Sequence, residues 1–285
     1  MTAIIQARGL SKSFGATKAL AGIDLTIPAG RIVGLIGPTG AGKTTAMKAI
    51  LGLTPYQGEL QVLGLDPHRQ RQQLMRDVSF IADTAILPRW IRVRELIDFT
   101  ARVHPRFSPE RCRALLARTR IDPAMKVKAM SKGMGVQMHL AVVMAIDARL
   151  LVLDEPTLGL DILHRKAFYE NLLNDYFDQD RTILVTTHQV EEIEHILSDV
   201  IFIRDGRIVL DTAMDSLPDR YTEVLVGPAR REAALALGPQ HERSLFGKTA
   251  MLFDGIDRLR LAELGEIRTP GLADLFVAMM KERDQ

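Results

Sequence analysis

The stretch that most constrains this chain is Gly37-Pro38-Thr39-Gly40-Ala41-Gly42-Lys43-Thr44, followed by Thr45. It fits G-x-x-x-x-G-K-[ST], a loop that cradles phosphate groups. Glycines let backbone N–H groups turn inward and approach phosphate oxygens with no Cβ in the way. Lys43 supplies a cation for the β- and γ-phosphates, and the Thr44 hydroxyl supplies a ligand for Mg2+. The flanks agree. Residues 31–36 are a short apolar run, as a buried parallel strand would be. Residues 45–51 read as a helix whose N-terminal dipole would face the phosphates. Such a stretch predicts a nucleoside triphosphate site.

Composition sets outer limits. With 285 residues the chain can bury a sizeable core, as one large domain or one domain with a smaller appendage. Its net charge of +2 is too small to argue for nucleic acid or an anionic membrane as partner. Cys112 is the only cysteine, so no intrachain disulfide can form and a reducing compartment fits. Residues 1–10 carry no apolar core or cleavage pattern of a signal peptide. No apolar run reaches the roughly 18 residues that a spanning helix needs. The best candidate, residues 140–146, stops at Asp147. Work at a membrane would require another chain to supply the span.

Along the chain, residues 4–10, 20–27, 58–63 and 78–81 read as strands, with Phe14-Gly15 in the first turn. Between about residues 87 and 130 apolar positions recur at helical spacing, broken by Pro105 and Pro109, which predicts a helical insertion. Strands follow at 150–153, 182–186 and 200–204, alternating with helices near 163–176 and 190–197. Asp205-Gly206 then predicts a hairpin turn into 207–210. Alternating strands and helices imply an α/β sandwich with a mostly parallel sheet. After about Met214 the texture changes. Strands are expected at 223–226, 250–253 and 258–261, and helices at 230–237 and 271–281, as a small α+β appendage. The predicted organisation is residues 1–213, with a helical subdomain at about 87–135, and an extension at 214–285.

Leu150-Leu151-Val152-Leu153-Asp154-Glu155 is an apolar strand ending in two carboxylates. Ligands of open parallel sheets sit beyond the carboxyl ends of the strands. Asp154 is therefore placed to hold Mg2+, directly or through water. Glu155, one residue on, is placed to orient and deprotonate an attacking water.

The order of elements over roughly residues 4–212 resembles the nucleotide-binding subunit of ABC transporters. Met130-Ser131-Lys132-Gly133-Met134 is similar to that family's signature motif, and Leu153-Asp154-Glu155-Pro156-Thr157 to its Walker B. Leu158-Gly159-Leu160-Asp161 resembles its D-loop, and Thr187-His188 its switch histidine. Phe14 stands where the family stacks an aromatic on adenine. The resemblance implies a P-loop NTPase core with a mixed, mostly parallel sheet and an antiparallel N-terminal subdomain. It also implies ATP hydrolysis with Mg2+. Two ATP molecules would be sandwiched head to tail between two copies, a homodimer in the expected arrangement. Ser131, Lys132, Gly133 and Met134 would then face the partner's γ-phosphate, and Asp161 would cross the dimer. His188 would hydrogen-bond the γ-phosphate and help hold Glu155 and water in line. Glu155, His188 and Lys43 are the expected catalytic set.

The chain departs from the family pattern in places. The Q-loop glutamine is expected after the 78–81 strand, where Asp83 stands instead. A carboxylate still suits Mg2+, which adds Asp83 to Thr44 and Asp154 as an expected metal ligand, but it is shorter and charged. In the signature, Lys132 replaces a glycine and Met134 a glutamine. Lys132 places a cation near a polyanionic nucleotide.

Within the family, Phe99 with His104-Pro105-Arg106-Phe107, the signature, and the tail 269–276 resemble subunits that serve ABC-2-type exporters. The resemblance implies a separate integral membrane permease as partner and a peripheral position on the cytoplasmic face of the cell membrane, with no nucleic acid partner. A soluble ABC-type ATP switch acting without transport, or an importer ATPase, are the alternatives.

Overall fold

The computed structural model describes residues 2–81, 87–158, 160–178 and 180–281. In chain order, the first part holds β1 (Ala3–Phe14), β2 (Thr17–Pro28), β3 (Ile32–Ile36), α1 (Lys43–Ile50), β4 (Gln57–Val62), α2 (Arg71–Leu74) and β5 (Val78–Ile81). Helices α3 (Val93–Val103), α4 (Pro109–Leu116) and α5 (Lys132–Met144) follow. Next come β6 (Leu150–Asp154), α6 (Ile162–Asn171), β7 (Thr182–Thr187), α7 (Val190–Ile193), β8 (Asp199–Arg204) and β9 (Arg207–Ala213). The remainder is α8 (Leu217–Arg220), β10 (Tyr221–Val226), α9 (Arg231–Leu235), β11 (His241–Leu245), β12 (Lys248–Asp254), α10 (Arg258–Ala262), β13 (Gly265–Arg268) and α11 (Leu272–Met280).

The central sheet has six strands in the order β5-β6-β7-β3-β8-β9, parallel except for the β8–β9 hairpin. Every residue of β3, β6 and β7 is buried, which is why these strands read as continuous apolar runs rather than alternations. Side chains still alternate between the two faces. Val33, Leu35, Leu150, Val152, Leu184 and Ile201 point into a core shared with α1 and the antiparallel sheet β2-β1-β4. Ile32, Ile36, Leu151, Leu153, Ile183 and Val185 point the other way, into a core built with α5, α6 and α7.

Helices α3, α4 and α5 enclose a separate apolar cluster, including Leu96, Ile97, Cys112, Leu116, Met138 and Ala141. Ser108 starts α4 by accepting a hydrogen bond from the Arg111 N–H at 3.1 Å, with Pro109 in the first turn. The predicted helical subdomain ends near residue 135, but α5 runs on through Met144 and belongs to both cores.

The segment after Met214 forms its own four-stranded antiparallel sheet, β11-β12-β10-β13, over a small core of Val224, Val226, Met251, Phe253 and Leu261. Its last helix leaves that core. On α11, Leu272 and Leu275 are buried in the main core, and Phe276 meets Phe202 edge-on at 5.5 Å. The Glu194 carboxylate accepts the Leu272 N–H at 2.9 Å, tying the start of α11 to the segment behind α7. The extension is therefore joined to the main core by burial, not merely appended.

One predicted strand is corrected. Residues 258–261 form the first part of helix α10, capped by Asp257, whose carboxylate accepts the Leu259 N–H at 2.9 Å. Arg258-Leu259-Arg260-Leu261 alternates like a strand, yet only Leu261 is buried. Four residues are too few for periodicity to separate the two states, and the cap decides. Strands β11 and β13 were not legible, because their exposed residues are mostly charged or polar.

Candidate nucleotide site

Strands β6, β7 and β3 are neighbours, so the loops after their carboxyl ends converge. The loop after β3 is 37–42, that after β6 begins with Glu155, and that after β7 carries His188. Gly42 has φ of 111°, and a Cβ there would stand 2.4 Å from the Ala19 carbonyl oxygen, so glycine is required both by torsion and by space. Lys43 opens α1 and is only 7% exposed. Its ammonium donates to the carbonyls of Gly37 at 2.7 Å and Pro38 at 3.2 Å and lies 3.6 Å from Glu155 Oε1. Pro38, Thr39 and Gly40 are exposed along the loop, Ala41 is buried beneath it, and Thr44 and Thr45 follow in the first turn of α1.

Thr44 Oγ1 donates to Asp154 Oδ1 at 3.4 Å, and Thr186 Oγ1 donates to the same oxygen at 2.6 Å. Asp154 and Thr186 are register partners between β6 and β7, so the sheet itself fixes this pair. Two hard oxygens, one hydroxyl and one carboxylate, suit a small divalent cation such as Mg2+, which takes much of its coordination from phosphate and water. Among the described residues no three His, Cys, Asp or Glu side chains group to form a protein-only metal cage. Asp83 lies outside the described residues.

Glu155 is held at φ of 46°, a conformation rare for a side chain with Cβ, with its N–H on the Thr186 carbonyl at 3.1 Å. This bend turns its carboxylate across the site. One oxygen faces Lys43 and the other lies 3.0 Å from His188 Nδ1. The three residues predicted as catalytic therefore meet in one place.

The signature residues start α5. Ser131 is its cap and accepts the Met134 N–H at 3.2 Å; Lys132 and Gly133 occupy the first turn. A Cβ on Gly133 would come within 3.1 Å of the His164 ring, so that side chain closes over the glycine. His164 in turn bonds Asp161 twice, through its N–H at 3.0 Å and through Nδ1 at 2.7 Å. The backbone N–H first, and the imidazole second, hold the Asp161 carboxyl below its ordinary pKa. Asp161, expected to cross a dimer, is also the cap of α6 within its own chain. Phe14 stands apart at the end of β1, 56% exposed, with Lys12 Nζ 5.0 Å from its ring centre.

Sequence reasoning missed Thr186 and His164. Thr186 ends the apolar run of β7, two residues before His188, but its pairing with Asp154 is set by the sheet. His164 carries no motif signal.

The ABC transporter family profile matches residues 20–158. The chain is 30% identical over 294 residues to Nod factor export ATP-binding protein I of Sinorhizobium fredii (strain NBRC 101917 / NGR234), covering 96% of this chain and 85% of that protein. It is 29% identical to ribose import ATP-binding protein RbsA of Rhodopirellula baltica (strain DSM 10527 / NCIMB 13988 / SH1), over 79% of this chain and 46% of that one. A solved ATP binding subunit of an ABC transporter superposes with a TM-score of 0.68 at 24% identity, covering 76% of this chain and 92% of the other, which is a likeness of fold.

Proposed function

We propose, from the premise that this chain belongs to the ABC transporter ATP-binding family of transport-coupled ATPases, that it closes as a dimer around two ATP molecules to drive export through a separate membrane subunit. The observation that carries the catalytic reading is Glu155, set between Lys43 at 3.6 Å and His188 at 3.0 Å. Lys43 carries the cation for the β- and γ-phosphates at the N-terminus of α1. Glu155 takes the proton of the attacking water on a carboxylate oxygen, and His188 fixes that carboxylate's direction. Thr44 and Asp154 would hold Mg2+, which when bound neutralises charge on the phosphate oxygens. Ser131 and Gly133, at the N-terminus of α5, serve the γ-phosphate held by the other copy.

Among the described residues no helix is long and apolar enough to cross a membrane. The translocation path is accordingly assigned to a permease chain, with this subunit on its cytoplasmic face. Export is favoured over import because the likeness to the Nod factor export protein runs through the C-terminal extension. The likeness to the ribose import protein covers less of this chain.

The test is steady-state ATPase activity of wild type and Glu155→Gln, with mass determination in the presence and absence of ATP. Turnover in wild type, with a Glu155→Gln protein that dimerises only with ATP, supports the sandwich. Equal turnover in both removes Glu155 from the role of base. Co-purification with an integral membrane protein, and ATP-dependent efflux from vesicles holding both chains, supports export; uptake instead would replace it with import.

A further inference from the structure

Behind Glu155 and His188 lies a side chain that no motif includes. Arg165, in the first turn of α6, is largely covered, and its guanidinium reaches three separate partners. Nε donates to the Leu160 carbonyl at 2.6 Å, and one terminal nitrogen donates to Gln189 Oε1 at 2.6 Å. The same nitrogen pairs with the Glu192 carboxylate. Leu160 belongs to the loop that begins at Glu155, while Gln189 directly follows His188. Glu192, on α7, closes the circuit: its second oxygen accepts from Thr157 Oγ1 at 3.2 Å, within the Glu155 loop again. Thr157 is itself buried and lies 3.4 Å from the Tyr169 hydroxyl on α6.

We infer that Arg165 is a positioning residue for hydrolysis, joining the loop that carries Glu155 to the loop that carries His188. The inference rests on the catalytic reading of those two residues. Backbone bonds within the loop after Glu155 are short, Leu158 N–H to Glu155 O at 3.1 Å and Leu160 N–H to Thr157 O at 3.0 Å, and its first residue is tied to β7 by the Glu155 N–H on the Thr186 carbonyl at 3.1 Å. Further along the loop, the link to the segment after β7 runs through Arg165, which holds Leu160 and Gln189, and through Thr157 to Glu192. A planar guanidinium with several donors in fixed directions can bond a carbonyl, an amide and a carboxylate at once. A lysine ammonium could balance Glu192 but has no fixed fork with which to reach all three. Because a shift of about 1 Å between reacting groups can cost on the order of 100-fold in rate, such a clamp acts on turnover without touching the nucleotide.

Arg165→Lys and Arg165→Met in the full chain separate this role from plain stabilisation, with Glu155→Gln measured alongside. The expected result for Arg165→Lys is a kcat about 10- to 100-fold lower. KM for ATP and the melting temperature should stay close to wild type. Hydrogen exchange at the Leu158, Leu160 and Gln189 amides should accelerate in both variants, with that of Ala46 in α1 unchanged. Wild-type kcat in Arg165→Lys, or exchange unchanged in either loop, overturns the inference. So does a loss of kcat that follows the melting temperature across both variants. If Glu155→Gln turns over like wild type, the catalytic reading fails instead; the exchange measurement still decides whether Arg165 joins the two loops.

Discussion

Lys43 Nζ stands 3.6 Å from Glu155 Oε1, so the candidate phosphate-binding cation and the candidate base share one largely buried ion pair. The lysine is fixed by the loop after β3 and the glutamate by the bend after β6, two elements separated in the sheet by β7. Each charge lowers the cost of burying the other.

Lys43→Ala is expected to weaken binding of a non-hydrolysable ATP analogue by about 10- to 100-fold, the usual worth of a hydrogen bond to a charged group. A titration with unchanged affinity would remove Lys43 from the phosphate site.

Thr186→Val keeps the shape of the side chain and deletes its 2.6 Å bond to Asp154. An outer partner of a metal ligand typically carries about 10-fold or more in metal affinity. The Mg2+ concentration that half-saturates ATPase activity should rise accordingly, with little change in melting temperature. An unchanged Mg2+ dependence would show that Thr186 does not tune Asp154.

Leu275→Ala tests whether the extension shares the stability of the main core. Leu275 is fully buried in the cluster that also contains Phe202, Val185 and Leu217. A loss of about 2–5 kcal/mol in global unfolding is expected. An independent appendage would leave the main unfolding transition where it was.

Cys112 is buried in the helical insertion, and burial pushes its thiol up to about 12. Iodoacetamide at pH 8 should leave the native protein unmodified and label it fully in denaturant. Rapid labelling of the native chain would mean that α3, α4 and α5 open readily.

Burial holds the His139 imidazole on α5 below its ordinary pKa, so the folded chain disfavours its charged form. The unfolded chain binds the proton first as pH falls through about 6.5. This group's share of stability is therefore complete above that pH and declines below it, by at most about 1.4 kcal/mol per pH unit. Denaturant midpoints of wild type and His139→Gln between pH 7.5 and 5 should diverge in that direction. Parallel curves would clear His139 of the effect.

Much of the site was written locally. The order of glycines before Lys43 follows from what a backbone must do to approach phosphate. The apolar runs ending at Asp154 and at His188 follow from strands buried on both faces. Such signals survive in the sequence because each depends on residues close together in the chain. The same locality misled at residues 258–261, where alternation looked like a strand until Asp257 proved to be a helix cap.

The sequence by itself determined a phosphate-binding turn, a carboxylate pair at a strand end, and the order of elements that places them on one family's plan. Only the tertiary structure decided that Glu155 faces Lys43 and His188 together, and that His164 closes over Gly133. It alone seated α11 in the main core and gave Arg165 two loops to hold. The physical reason is distance along the chain. Arg165 reaches Gln189 across 24 residues, and Leu272 reaches Glu194 across 78. Such pairings are set by sheet order and core packing, which leave no period or spacing in the sequence to read.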